Sequence, residues 1–169
     1  VFPLLRKRFS VSGLFVGGFL LQIAGFAILL LLSFTGIYRS ISWMLLCLPG
    51  AVVYSGYGML NVSLTVFLAD TVDYGEYKNG TRDESVIFSM QTFTVKLASG
   101  FAVFLAGLII DWVKLDTTEG AVQTAATLSG LRLWMTIPSI ILLIAGIIVY
   151  KRFYRLDADT MKRITEGKK

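Results

Sequence analysis

Residues Ala69–Gly100 read ADTVDYGEYKNGTRDESVIFSMQTFTVKLASG. The first part, Asp70 to Glu84, carries five acids and two bases. The second part is apolar, dotted with serine and threonine, and holds one lysine, Lys96, near its middle. Long apolar segments lie on both sides of this junction. The fold therefore turns on whether Lys96 lies within a membrane-crossing helix.

Composition favours a membrane setting. Of 169 residues, 55% are hydrophobic and 16% charged, with a mean hydropathy of +0.70; a soluble domain of this size carries more charge and shorter apolar runs. Four apolar segments, about 13–34, 43–68, 86–110 and 131–150, reach the roughly 20 residues that a bilayer crossing needs. In lipid they must be helices, because no water satisfies an open backbone. The expected fold class is thus an all-α membrane protein of four transmembrane helices over residues 1–150, followed by a basic cytoplasmic tail, 151–169. No signal peptide is read at Val1, beside Arg6, Lys7 and Arg8. A start without Met agrees with a truncated chain.

Charge placement sets the expected orientation. The bases Arg6, Lys7, Arg8, Lys78 and Arg82 and the seven of the tail fall on one side of the spans, against Arg39, Lys114 and Arg132 on the other. Twelve against three puts both chain ends in the cytoplasm. The net charge of +5 therefore reads as orientation charge rather than a nucleic-acid surface. Cys47 is the single cysteine and no histidine occurs, so neither an intrachain disulfide nor a zinc site of the usual kind is expected. In the tail, Asp157 is a candidate N-cap, with Leu156 and Met161 as a hydrophobic staple of a short amphipathic helix.

Within the spans, small and polar residues form stripes. Gly18, Gln22 and Gly25 share one face of the first, where small residues let helices approach closely; ligand contact is the alternative. Gly50, Tyr54, Gly58, Asn61 and Thr65 stack along the second, with Tyr57 beside them. Asn61 at mid-depth needs a hydrogen-bond partner, either on another helix or in a cavity. In the fourth span, Pro138 is a potential kink. On the third, at 100° per residue, Ser85, Ser89, Thr92, Ser99, Gly100, Val103 and Gly107 fall within about 60° of Lys96. Gln91 and Val95 extend that wedge. An unpaired ammonium at this depth costs ~2.5 kcal/mol or more, and no carboxylate occurs inside the four apolar segments. A counter-charge must come from elsewhere: other helices, a substrate or water.

The motifs ADTVDYGEYK, R-x-E-S and QT-x-x-x-K resemble those of the glycoside–pentoside–hexuronide cation symporters, and of their melibiose-carrier branch in particular. The resemblance runs from about Val1 to the tail and implies helices nine to twelve of a twelve-helix major facilitator, that is, part of its C-terminal six-helix half. It implies that Gln91, Thr92, Val95 and Lys96 line a sugar site, since amide, hydroxyl and ammonium groups all hydrogen-bond sugar hydroxyls. It also implies that Lys96 couples sugar to a cation, Na+ or H+, whose carboxylate ligands lie in N-terminal helices outside this chain. Family members carry an aromatic sugar-stacking residue near the position of Asn61, where this chain departs. The polar run reads either as a solvated loop with a helix N-cap near Ser85, or as a cytoplasmic gate. The resemblance favours the gate, in which Asp70, Asp73, Glu76, Arg82 and Glu84 pair with basic residues of the other half.

The expected function is therefore sugar or glycoside symport by alternating access in the cell membrane, by a carrier of which this chain is a fragment. The partners are the bilayer, the sugar, and the N-terminal helices. No cofactor beyond the coupling ion and no metal site is expected. An enzyme is disfavoured, because neither histidine nor an intramembrane acid is available as base or ligand. A structural four-helix subunit is the alternative, although it leaves Lys96 unexplained.

Overall fold

A computed structural model of the protein describes residues 10–35, 43–118 and 120–154. It contains four helices: α1 (Val11–Thr35), α2 (Trp43–Asn79), α3 (Glu84–Trp112) and α4 (Ala125–Phe153). All four are long and apolar enough to cross a membrane. The all-α, four-span architecture read from the apolar segments is the one observed. Arg6, Lys7, Arg8, Arg39, Glu119 and the tail from Arg155 onward, with its Asp157 cap, lie outside the described residues.

Three helix ends differ from the sequence reading. The polar run is mostly helix, because α2 continues past Leu68 to Asn79, with no proline between Ala69 and Asn79 and a single interior glycine, Gly75, which the helix tolerates. Gly80 then adopts φ 73°, and its N–H donates to the Glu76 carbonyl at 2.9 Å. This is the left-handed glycine stop of a helix C-terminus. Only residues 80–83 separate α2 from α3, and the N-cap of α3 is Asp83 rather than Ser85. At about 1.5 Å per residue, the 37 residues of α2 far exceed a hydrocarbon core of about 30 Å. Its acidic last turns can therefore stand in water. The start of α4 also precedes the apolar segment: Thr124 caps it by accepting the Thr127 N–H at 3.1 Å. Pro138 is accommodated within α4, which runs on to Phe153.

The packed centre lies between α1, α2 and α4, while α3 touches its neighbours only marginally. Leu14, Gly18, Gln22 and Gly25 form the buried face of α1, so the small-residue stripe is a packing face. Gly18 meets Gly56 so closely that a Cβ on Gly56 would lie 2.6 Å from the Gly18 carbonyl oxygen. Toward the other helix, Phe19 lies against Gly146 of α4. At the end of the bundle formed by the start of α1 and the end of α4, rings of Phe15, Phe67, Tyr150 and Tyr154 pack at centroid distances of 4.6–5.7 Å. At the opposite end Trp112 and Trp134 pair at 4.9 Å. None of the described residues of α3 is buried.

Candidate functional site

The polar face of α2 and the wedge of α3 are open. No atom outside the helix's own backbone and adjoining residues comes within 4 Å of a Cβ placed on Gly50 or Gly58, and Asn61 and Thr65 are exposed. Gly18, Gly25 and Gly56, by contrast, lie in the contact between α1 and α2. Between α1, α2 and α3 runs a groove of about 520 Å³ that brings together Asn61 and Val95, with Gln22, Tyr57 and Ser99 on its walls. Gln91, Thr92 and Lys96 lie on the same helix as Val95 but outside that lining.

Hydroxyl and amide protons at the site are largely spent on the helices themselves. Thr92 Oγ1 donates to the Phe88 carbonyl at 2.9 Å, and Ser99 Oγ to that of Val95 at 2.8 Å. Asn61 Nδ2 donates to the Tyr57 carbonyl at 3.0 Å, and Thr65 Oγ1 to that of Asn61 at 3.0 Å. This back-bonding is how such residues satisfy themselves in a helix. It leaves the hydroxyls with lone pairs facing outward, so they act as acceptors, while the Asn61 amide keeps its oxygen and a second N–H. Further donor capacity is supplied by Lys96, an exposed ammonium with three N–H bonds, and by the Gln91 amide. Among the described residues no ion pair involves Lys96. The sequence alone had not shown that Gln22, although only 7% exposed, makes no hydrogen bond through Nε2 among the described residues.

At the α2–α3 turn, Arg82 gathers three of the acids singled out as gate residues. Its Nη1 lies 3.0 Å from Asp73 and 3.0 Å from Glu76, and its Nε 3.3 Å from Glu84. These hydrogen bonds, Glu76 first and then Asp73 and Glu84, raise the already high guanidinium pKa further. The cluster is half exposed, so it contributes little net stability. Asp70 stands apart from it and acts on Tyr154, just beyond α4. Burial, then the Asp70 charge, then Tyr150 push the Tyr154 phenol up to about 12. Closer to the Trp pair, hydrogen bonds from Thr118 hold the Asp116 carboxyl below its ordinary range. Among the described residues no group of three or more histidines, cysteines or acids is placed to hold a metal ion.

Four spanning-length helices describe a multi-pass membrane protein. The chain belongs to the family described as MFS/sugar transport protein, which it matches over residues 1–158. It is 36% identical to the inner membrane symporter YicJ of Escherichia coli over 102 residues, covering 60% of this chain and 22% of that protein. It is 33% identical to the isoprimeverose transporter of Lactiplantibacillus pentosus over 108 residues, 64% of this chain and 22% of the relative. A candidate 2,3-dihydroxypropane-1-sulfonate exporter of Salmonella typhimurium is 29% identical over 160 residues, 95% of this chain. The chain spans about a third of that relative's length, 33%. The family and these relatives are transporters, not enzymes.

Proposed function

We propose that this chain supplies helices nine to twelve of a sugar or glycoside:cation symporter working by alternating access in the cell membrane. The carboxylate ligands of its coupling ion, Na+ or H+, would be furnished by further helices. The observation that carries this reading is the state of α3. A membrane-length helix with no buried residue among those described carries Lys96 about 18 Å from its first residue at ~1.5 Å per residue. Such a helix demands neighbours, and such a lysine demands an anion or a wet cavity. The fraction of each relative's length that the chain spans supports further helices as those neighbours.

In this reading Asn61, Gln91, Thr92, Val95 and Lys96 bind the sugar. Acceptor lone pairs on Asn61 and Thr92 take sugar O–H donors, and Lys96 and Gln91 donate to sugar oxygens. Lys96 also couples the two solutes, because its charge and that of the ion compete for the same carboxylates. Asp70, Asp73, Glu76, Arg82 and Glu84 form the cytoplasmic gate. Arg82 holds its own acids in one state and releases them to bases of the other half in the other, an exchange made cheap by the weakness of exposed pairs. Both chain ends face the cytoplasm on the lysine and arginine asymmetry.

The test is cation-driven sugar accumulation by the full carrier with Lys96→Met and Lys96→Arg at normal expression. Lys96→Met strands the opposing carboxylate and should abolish coupled accumulation while the protein still inserts, since methionine is at home in lipid. Wild-type accumulation by both variants would sink the coupling role.

A further inference from the structure

The groove between α1, α2 and α3 holds a buried polar group that has no part in the sugar contacts proposed above. Gln22 is 7% exposed, and its Nε2 is buried with no hydrogen-bond partner among the described residues. It stands between Gly18 and Gly25 on the buried face of α1, where an apolar side chain would pack without leaving a donor unmade. Gln22 lies eleven residues from the start of α1 and thirteen from its end, and Asn61 eighteen from either end of α2. Both therefore sit near mid-length of helices long enough to cross a membrane. At that depth a polar side chain turns to a protein partner or to a cavity. The cavity is at hand: the groove encloses about 520 Å³, and Gln22 lines it with Phe15, Phe19, Tyr57, Asn61 and Ser99. Its volume is that of a small-ligand pocket. Resting on the sugar-transport reading, we infer that Gln22 is a specificity-determining residue, whose amide hydrogen-bonds a hydroxyl of a second sugar unit seated in this groove.

The occupant follows from where the polar atoms stand. Asn61 and Val95 line the groove and also belong to the residues proposed around the first sugar, whereas Gln91, Thr92 and Lys96 lie outside the groove lining. A unit in the groove is thus next to the one held by Lys96 and distinct from it, as the second ring of a disaccharide would be. A sugar ring has C–H faces and hydroxyl edges, and the walls match both. Phe15, Phe19 and Tyr57 offer aromatic surface to the faces. For the hydroxyls there are the Gln22 amide, the Asn61 amide and the Ser99 oxygen, whose own proton goes to the Val95 carbonyl at 2.8 Å. A hydrocarbon group would leave the Gln22 amide unpaired, and an ion would meet no charged side chain on this lining. The terminal torsion of glutamine is broad and roughly two-fold, so the amide turns toward the groove without moving its stem. A buried donor that gains its partner only from bound substrate discriminates, because a substrate lacking that hydroxyl leaves the donor unmade.

The experiment uses the full carrier, purified in detergent with Na+ present, and measures sugar binding by calorimetry. The probes are melibiose, cellobiose and xylobiose, each beside a methyl glycoside that keeps the first ring and loses the second: methyl α-galactoside, methyl β-glucoside and methyl β-xyloside. Wild type should bind at least one disaccharide more tightly than its methyl glycoside. Gln22→Leu should weaken that disaccharide about tenfold, the scale of one hydrogen bond, and the methyl glycoside far less. Ala98→Leu crowds the groove from an exposed position of α3, so folding is spared, and it should remove the same preference. Without sugar, Gln22→Leu should melt at or above the wild type, because no bond is lost. A marked drop in melting temperature would mean that a further helix holds the amide and would overturn the inference. So would undiminished disaccharide binding in Gln22→Leu, or equal weakening of both sugars. Wild-type binding of methyl glycosides with no preference for a disaccharide would overturn it while leaving the symport reading in place. Binding of no sugar on the panel would overturn it together with that reading.

Discussion

Replacing Gly56 with alanine adds one methyl group at the closest approach of α1 and α2. That methyl would lie 2.6 Å from the Gly18 carbonyl oxygen, 2.8 Å from Gln22 Cγ and 3.0 Å from the Gln22 backbone nitrogen. Two of these three are backbone atoms, which cannot rotate aside. A comfortable carbon–oxygen approach is about 3.3–3.6 Å, so the helices must part locally by roughly 0.7 Å. A gap of that size forfeits about a quarter to a half of each affected dispersion contact. Overpacking of this kind costs about 1–3 kcal/mol, and the better helix propensity of alanine returns at most about 1 kcal/mol. The net expectation is a loss of roughly 1–2 kcal/mol on those two scales. Gly17 is the matched control: on the neighbouring position of α1, its Cβ would meet only Met59 Cε, at 3.9 Å. Gly17→Ala should therefore be neutral or mildly stabilising. Thermal unfolding of the detergent-solubilised carrier, followed by fluorescence-detected size exclusion, compares the two. If Gly56→Ala melts at or above Gly17→Ala, the packing argument is refuted.

Other outcomes follow from the same geometry. Arg82→Gln removes three ion pairs at once and, if the cluster is a gate, should change the transport rate several-fold with a much smaller change in sugar KM. Unaltered uptake by both Arg82→Gln and Asp73→Asn would leave the cluster as a surface feature only. Single cysteines at Asn79 and at Gly120 should label from opposite faces of the membrane, Asn79 from the cytoplasm, when probed with an impermeant maleimide. Labelling of Asn79 from outside would invert the orientation drawn from lysine and arginine.

Hydropathy over about twenty residues and the helical period are local properties, and so the four spans and the polar wedge around Lys96 were legible in the chain, while the kinship with sugar transporters rested on the resemblance of the motifs between Ala69 and Lys96. The close-packing stripe Gly18, Gln22, Gly25 was legible for the same reason: its 3.6-residue spacing names a face. What spacing could not do was choose between faces. Both sides of α2 carry glycines, yet Gly56 packs while Gly50 and Gly58 stay open, because only the position of α1 decides which side is covered. The length of α2 was also hidden, since charged residues end an apolar span without ending a helix; Gly80 does that through its backbone. The meeting of Arg82 with Asp73, Glu76 and Glu84, and of Asn61 with Val95, belongs to tertiary structure. Each joins residues on different helices or on either side of the turn, and the period of a single helix says nothing of what lies across from it.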